Sequence, residues 1–249
     1  MIFLLCKINF HWQLKGLENM ELLLISGLLC DDSLWAEQTK VLSCVANITI
    51  PDHKSHKLMA DIAEGILAKA PPKFALAGLS MGGYVCLEIM RQAPARVIKL
   101  ALLDTSPYAD SDEKKVLRKQ AIEQARKTGE ASIGSIFPSL IDPGRYGDKD
   151  LVDALFAMDK NNTVESFINQ QRAIISRADS LSLLADICCP TLVLCGRQDT
   201  LTPVSVHQHM ADKIPNSSLV VIENCGHFST MERPEEVNNA MLEWLRSEC

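Results

Sequence analysis

From Glu21 onward, short apolar runs alternate with stretches whose apolar residues recur every three or four positions. The runs Leu22–Ile25, Val45–Ile50, Phe74–Ala77, Val97–Leu103, Thr191–Cys195 and Leu219–Ile222 are predicted as strands. Between them, Leu34–Leu42, Leu58–Lys69, the segment after Ser80 and Pro234–Arg246 carry helical periodicity; the last has Glu235 and Glu236 in its first turn, where carboxylates are favoured. Strands without polar alternation, separated by helices, predict a parallel sheet covered on both faces. The rhythm stops after Asp104. From Ser106 to Asp186 only helical patterns occur, at Glu113–Lys127, Lys149–Asp159 and Val164–Arg177. The predicted organisation is an α/β core over 20–105 and 187–249, a three-layer sandwich around a mostly parallel sheet, with a helical cap inserted over 106–186.

Residues 1–19 stand apart from this pattern. Lys7 to Lys15 alternates strictly, with Ile8, Phe10, Trp12 and Leu14 on one face, which reads as a half-buried strand added to a sheet edge. The alternative is that Met20 is the natural start and the leader takes no part in the fold.

Chemistry enters at Phe74–Met90, FALAGLSMGGYVCLEIM, where a serine falls at a strand-to-helix junction among three glycines. Gly78, Ser80 and Gly82 match G-x-S-x-G, a spacing that permits a strained turn lifting the serine hydroxyl clear of the backbone. Gly78 is expected to let the strand turn sharply, Gly82 to keep bulk out of the turn, and Gly83 to let the helix pack closely. A serine nucleophile needs a base and an orienting acid, in the chain order Ser, Asp, His for an elbow of this type. Asp199 follows a predicted strand in TLVLCGRQDTLTP, and His227 follows the last one in VVIENCGHFSTMERP. Both fall just past strand carboxyl ends, where open α/β sheets bind ligands.

These three segments, GLSMGG, CGRQDTLTP and CGHFSTMERPEEV, resemble the α/β-hydrolase superfamily, in particular its capped, cofactor-free serine hydrolases and esterases, over about Leu22 to Leu245. The resemblance implies Ser80 as nucleophile, His227 as general base and acid, and Asp199 as the group that orients the imidazole. It also implies an oxyanion hole from the backbone N–H groups of Met81 and Leu28, the latter in LLISGLLCDDSLW, where Ser26 replaces the family's histidine. The donors are main-chain groups, so the replacement bears on the loop's shape and not on its chemistry. A serine in place of aspartate disfavours the dehalogenase and epoxide-hydrolase branches.

Charge and cysteine content narrow the partners. A net charge of -6 argues against nucleic acid, whose binding needs a basic field. Nine cysteines without a C-x-x-C pair suggest a reducing, cytoplasmic setting and no structural zinc, and no segment approaches a membrane span. No cofactor or metal is expected. Glu113–Lys127 carries six basic residues against two acidic ones. That surplus is read either as a solvated face behind Leu117, Ala121 and Ile122, the favoured expectation, or as a docking surface for an anionic acyl carrier.

Other candidates are assigned ordinary roles. Asp104 is expected to form a turn or cap leading into the helical block, His207 and His209 to lie at the surface, Cys86, Leu87 and Met90 to pack the core, and Cys30 and Cys225 to be buried or to line the pocket. The leading functional expectation is hydrolysis of a small or medium carboxylic ester through an acyl-enzyme. Thioester cleavage would use the same residues. Lyase or perhydrolase chemistry and a catalytically idle binding protein are alternatives; against the menaquinone-pathway lyases stands Tyr84, where that branch carries arginine.

Overall fold

A computed structural model of the chain describes residues 20–131, 134 and 136–247. The expected edge strand over residues 7–15, and with it the role of the leader, lies outside the described residues. Six strands form one sheet: β1 (Met20–Ile25), β2 (Ala46–Thr49), β3 (Phe74–Leu79), β4 (Val97–Leu103), β5 (Thr191–Gly196) and β6 (Ser217–Ile222). Their spatial order is β2-β1-β3-β4-β5-β6 and every pairing is parallel. The chain thus runs outward from β1 to one edge, crosses back to β3 and proceeds to the other edge. The order of succession reverses beside β1 and β3, the switch point at which open parallel sheets bind ligands.

The period of two along each strand sorts the core into two layers. Leu22, Leu24, Ala75, Ala77, Leu192 and Leu194 face α1 (Ala36–Leu42) and α10 (Pro234–Arg246), whose Leu42, Val237, Met241 and Trp244 join the same cluster. Leu23, Ile25, Phe74, Leu76, Leu100, Leu102 and Val193 face the opposite helices, α2 (Met59–Leu67) and α3 (Met81–Gln92). Cys86, Leu87 and Met90 pack there as expected. Each fully buried large aliphatic side chain contributes about 1.5–3 kcal/mol relative to exposure, so the two layers outweigh the backbone strain described below.

Between β4 and β5 lie α4 (Asp112–Thr128), α5 (Lys149–Lys160), α6 (Val164–Ser176) and α7 (Leu181–Leu184). Their ends are written into the sequence. The Ser111 hydroxyl accepts from the Lys114 N–H to start α4, Gly129 closes it at φ 72°, and Thr163 and Ser166 form a reciprocal capping box at α6. One expectation about α4 is overturned: Leu117 is 63% exposed, and Ile122 and Ala125 are the residues that turn inward. Five positions from Ile122 place Leu117 about 140° away around a helix of 3.6 residues per turn, off the buried stripe. After β5 comes a helix that no strand or helix signal had marked, α8 (Val204–Lys213), and after β6 a short α9 (Ser229–Glu232).

Candidate active site

The site is built where β3 stops. Ser80 adopts φ 57° and ψ -117°, a conformation that non-glycine residues rarely occupy and that costs on the order of 1–3 kcal/mol. Its surroundings over-determine that geometry. The Ser80 N–H donates to the Leu103 carbonyl at 3.0 Å, and the Ser80 carbonyl accepts from the Gly83 N–H at 2.9 Å and from the Thr105 hydroxyl at 2.7 Å. A Cβ on Gly82 would overlap the Ile25 carbonyl, and one on Gly78 would overlap the Gly82 backbone, so the turn closes only with glycine at both. The first residue of α3 is Met81, whose N–H has no intrahelical partner and lies at the positive end of the helix.

Two later strand ends deliver the other side chains. The ring of His227, after β6, stands with Nε2 2.8 Å from the Ser80 hydroxyl and Nδ1 2.8 Å from Asp199 Oδ2, after β5. With Nδ1–H donating to the carboxylate, Nε2 is left to accept the serine proton. Asp199 is held in turn by the Leu201 and Thr202 N–H groups at 2.8 and 3.0 Å and by the Thr202 hydroxyl at 2.6 Å. Burial pushes the Asp199 carboxyl up, but the His227 ring and the hydrogen bonds outweigh it and hold the group below the usual carboxylate range. For His227 burial acts downward, and the Asp199 charge with its hydrogen bond reverses the sign, leaving the ring more basic than an ordinary imidazole.

The loop after β1 passes directly over the serine, with the Cα of Gly27 so placed that a Cβ there would lie 3.5 Å from Ser80 Cβ. Leu28 follows in this loop. Ser26, the departure noted in the sequence, closes the segment with a hydroxyl hydrogen bond to the Asp31 carbonyl at 3.2 Å.

Two ordinary roles assigned from the sequence are corrected here. Asp104 is not a cap leading into the helical block: it is fully buried at φ 44°, and its carboxylate accepts from the Gly196 N–H at 3.0 Å and from the hydroxyl at 2.5 Å and N–H at 3.3 Å of Ser229, the first residue of α9. It thereby ties the segment leading to Asp199 to the one following His227. Nor is His207 at the surface; it is buried, and its Nε2 accepts from the Thr105 N–H at 2.9 Å while its ring faces the Pro203 carbonyl. Burial pushes that ring down to about 4, which keeps it neutral. His209, two residues on, is partly exposed and paired with the Tyr108 hydroxyl. The missed signal was β4 itself: a polar Asp-Thr pair directly after seven sheet residues had to find partners inside the molecule.

Burial, with the Asp199 charge added, pushes the Asp104 carboxyl up to about 8. An acid whose pKa rises on folding favours the native state at low pH and loses that contribution as pH climbs from its ordinary 3.8 to about 8. Asp104→Asn cannot ionise. Its melting temperature relative to the wild type is therefore expected to rise steadily across that window; a difference that stays flat with pH would contradict the raised pKa of Asp104.

Cys30 and Cys225 are both buried, and burial pushes the Cys30 thiol up to about 12, so it is not an ionised nucleophile. Among the described residues no group of three or more His, Cys, Asp or Glu is placed to hold a metal ion, and no helix is long and apolar enough to cross a membrane.

A parallel sheet between helical layers, a strained serine after its third strand, and an imidazole and carboxylate supplied by later strand ends define an α/β hydrolase. The chain belongs to that family, whose model, described as alpha/beta hydrolase fold, matches residues 56–234. Its curated relatives include a pimeloyl-[acyl-carrier protein] methyl ester esterase of Vibrio parahaemolyticus, 26% identical over 92% of this chain and 94% of that protein. A putative carbamate hydrolase of Rhizobium rhizogenes is 25% identical over 95% and 98% of the two chains. Among solved structures, a thermophilic esterase from Thermogutta terrifontis superposes with a TM-score of 0.85 at 30% identity, covering 91% of this chain and 89% of the other.

Proposed function

We propose that the protein is a serine-dependent carboxylic-ester hydrolase acting through an acyl-enzyme. The observation that carries this reading is the continuous hydrogen-bonded line from Ser80 through His227 to Asp199, with both links at 2.8 Å. Ser80 attacks the ester carbonyl while His227 Nε2 takes its proton; Asp199 keeps Nδ1 protonated and stabilises the imidazolium. Negative charge developing on the carbonyl oxygen is met by the Met81 and Leu28 N–H groups, which need no reorganisation when the charge appears. His227 then returns its proton to the leaving alcohol, and a water activated by the same ring releases the acid. The names of the relatives support a carbonyl bearing a leaving group as substrate, since a methyl ester and a carbamate share that feature. The helices between β4 and β5 act as a cap that shapes the acyl pocket. The test is a panel of esters and thioesters of graded acyl length, run with Ser80→Ala and with labelling by a fluorophosphonate. Hydrolysis and labelling by the wild type alone support the reading; an untouched panel moves lyase or perhydrolase chemistry forward.

A second reading concerns how the acyl group arrives. On α4, Val116 and Leu117 are 50% and 63% exposed, and Lys114, Lys119 and Lys127 beside them form no ion pair among the described residues, whereas Lys115, Arg118 and Arg126 are matched by Asp112, Asp110 and Glu123. Apolar residues ringed by unmatched lysines suit an acidic acyl carrier. Lys114→Glu with Lys119→Glu is expected to lower kcat/KM about tenfold for a carrier-linked ester at low salt, and to leave a free methyl ester unchanged. Equal kinetics on the carrier-linked ester would remove the docking role.

A further inference from the structure

Residues Gly27 to Cys30 form a four-residue turn closed by a hydrogen bond from the Cys30 N–H to the Gly27 carbonyl at 3.3 Å. Its third residue, Leu29, has φ 58°. A turn with positive φ at that position ordinarily takes glycine or asparagine, because a side chain there crowds the backbone. Leu29 is also buried, so its peptide groups must be paired within the protein.

Both partners come from the helical segment between β4 and β5, more than a hundred residues away in sequence. Gln170, fully buried on α6, accepts the Leu29 N–H on Oε1 at 3.2 Å. Asn162, between α5 and α6, donates from Nδ2 to the Leu29 carbonyl at 2.8 Å and to the Met158 carbonyl at 2.9 Å. The Leu29 N–H belongs to the central peptide of the turn. That peptide inverts between the two common turn types, one of which places its third residue at positive φ and the other at negative φ. Gln170 therefore holds the turn in the form that leucine itself disfavours.

Deepening the ester-hydrolase reading, and resting on it, we propose that Gln170 and Asn162 are positioning residues: through Leu29 they fix the turn that presents the Leu28 N–H to the reacting carbonyl oxygen. The neighbouring groups fit this role. The turn sits against Ser80, and Leu28 is the residue between that contact and the restrained peptide. Neither Gln170 nor Asn162 is required by the Ser80–His227–Asp199 line, which is complete without them.

The test is Gln170→Met, which keeps length and apolar contact but deletes the acceptor. Removing one oxyanion donor costs about 10²–10³ in kcat; a donor left in place but mis-aimed is expected to cost roughly 10–100-fold, with KM within about twofold. Affinity for a trifluoromethyl ketone, whose serine adduct carries the oxyanion, should fall by the same factor. Adding Leu29→Gly, which accepts positive φ without side-chain strain, should recover most of both losses. Unchanged kcat in folded Gln170→Met, or a kcat loss without the matching loss of ketone affinity, overturns the proposal, as does a loss that Leu29→Gly leaves in place in a folded double variant. Failure of the underlying reading looks different: it is a Ser80→Ala variant that still turns over ester.

Discussion

Ser80→Ala is expected to lower ester turnover by about 10⁴–10⁶-fold while leaving the fold intact, because the nucleophile acts as a unit with its base and little of their effect survives the loss of either. The structural basis for retained folding is specific. Ser80 uses its backbone, not its hydroxyl, to hold the turn: the N–H goes to Leu103 and the carbonyl to Gly83 and Thr105. Alanine keeps all three bonds, and the φ of 57° is imposed by them and by the glycines rather than by the hydroxyl. Steady-state kinetics, thermal melting and fluorophosphonate labelling on the same preparation check it. A variant that melts like the wild type and keeps more than a hundredth of its activity would remove Ser80 from the chemistry.

Asp199→Asn should lower kcat by about 10⁴-fold, with a second consequence in the pH profile. The Asp199 charge is the largest of the attractions that raise the His227 pKa against the effect of burial, ahead of those from Asp104 and Glu232. The acid limb of kcat/KM in the wild type is therefore expected above the ordinary imidazole value, since the ring must lose its proton to act as base and activity falls as pH drops through that raised pKa. An uncharged amide removes the largest of these attractions and leaves only the weaker ones of Asp104 and Glu232 against burial, so the limb should move to lower pH in the variant even as the plateau falls. Rates from pH 5 to pH 9 on one ester measure both effects. A limb that stays in place would assign it to another group. Thr202 sharpens the expectation, because its hydroxyl and N–H remain to orient the amide and preserve the local geometry.

The sheet was legible because its central strands are mostly apolar: Phe74–Leu79 and Thr191–Gly196 are buried at every position, as strands covered on both faces are. Ser80, Asp199 and His227 could be picked out because each follows the carboxyl end of a strand, and the structure brings the three within hydrogen-bonding distance. What escaped depends on partners distant in sequence. Asp104 resembles a capping residue until Gly196 and Ser229 are brought beside it, and His207 resembles a surface residue until the Thr105 N–H meets its ring. Leu117 was misplaced for a different reason: α4 has so few apolar residues that its buried stripe is defined by Ile122 and Ala125 alone, too short a series to fix a phase. Gln170 carries no sequence signal at all, since an internal amide in a helix is meaningful only through the group it contacts.

The loop that carries the imidazole leans on the connection between α4 and α5 as well as on the sheet. The backbone N–H groups of His227 and Phe228 both donate to the Leu140 carbonyl, at 2.9 and 3.1 Å, and the Asp142 N–H donates to Glu232 at 2.8 Å. Transplanting the insertion from a relative to import its substrate preference would carry away these braces with the helices proposed to shape the pocket. A chimera of that kind must conserve the main-chain path at 140–142, or retrain the histidine loop by laboratory evolution, before any change of selectivity can be read from its rates.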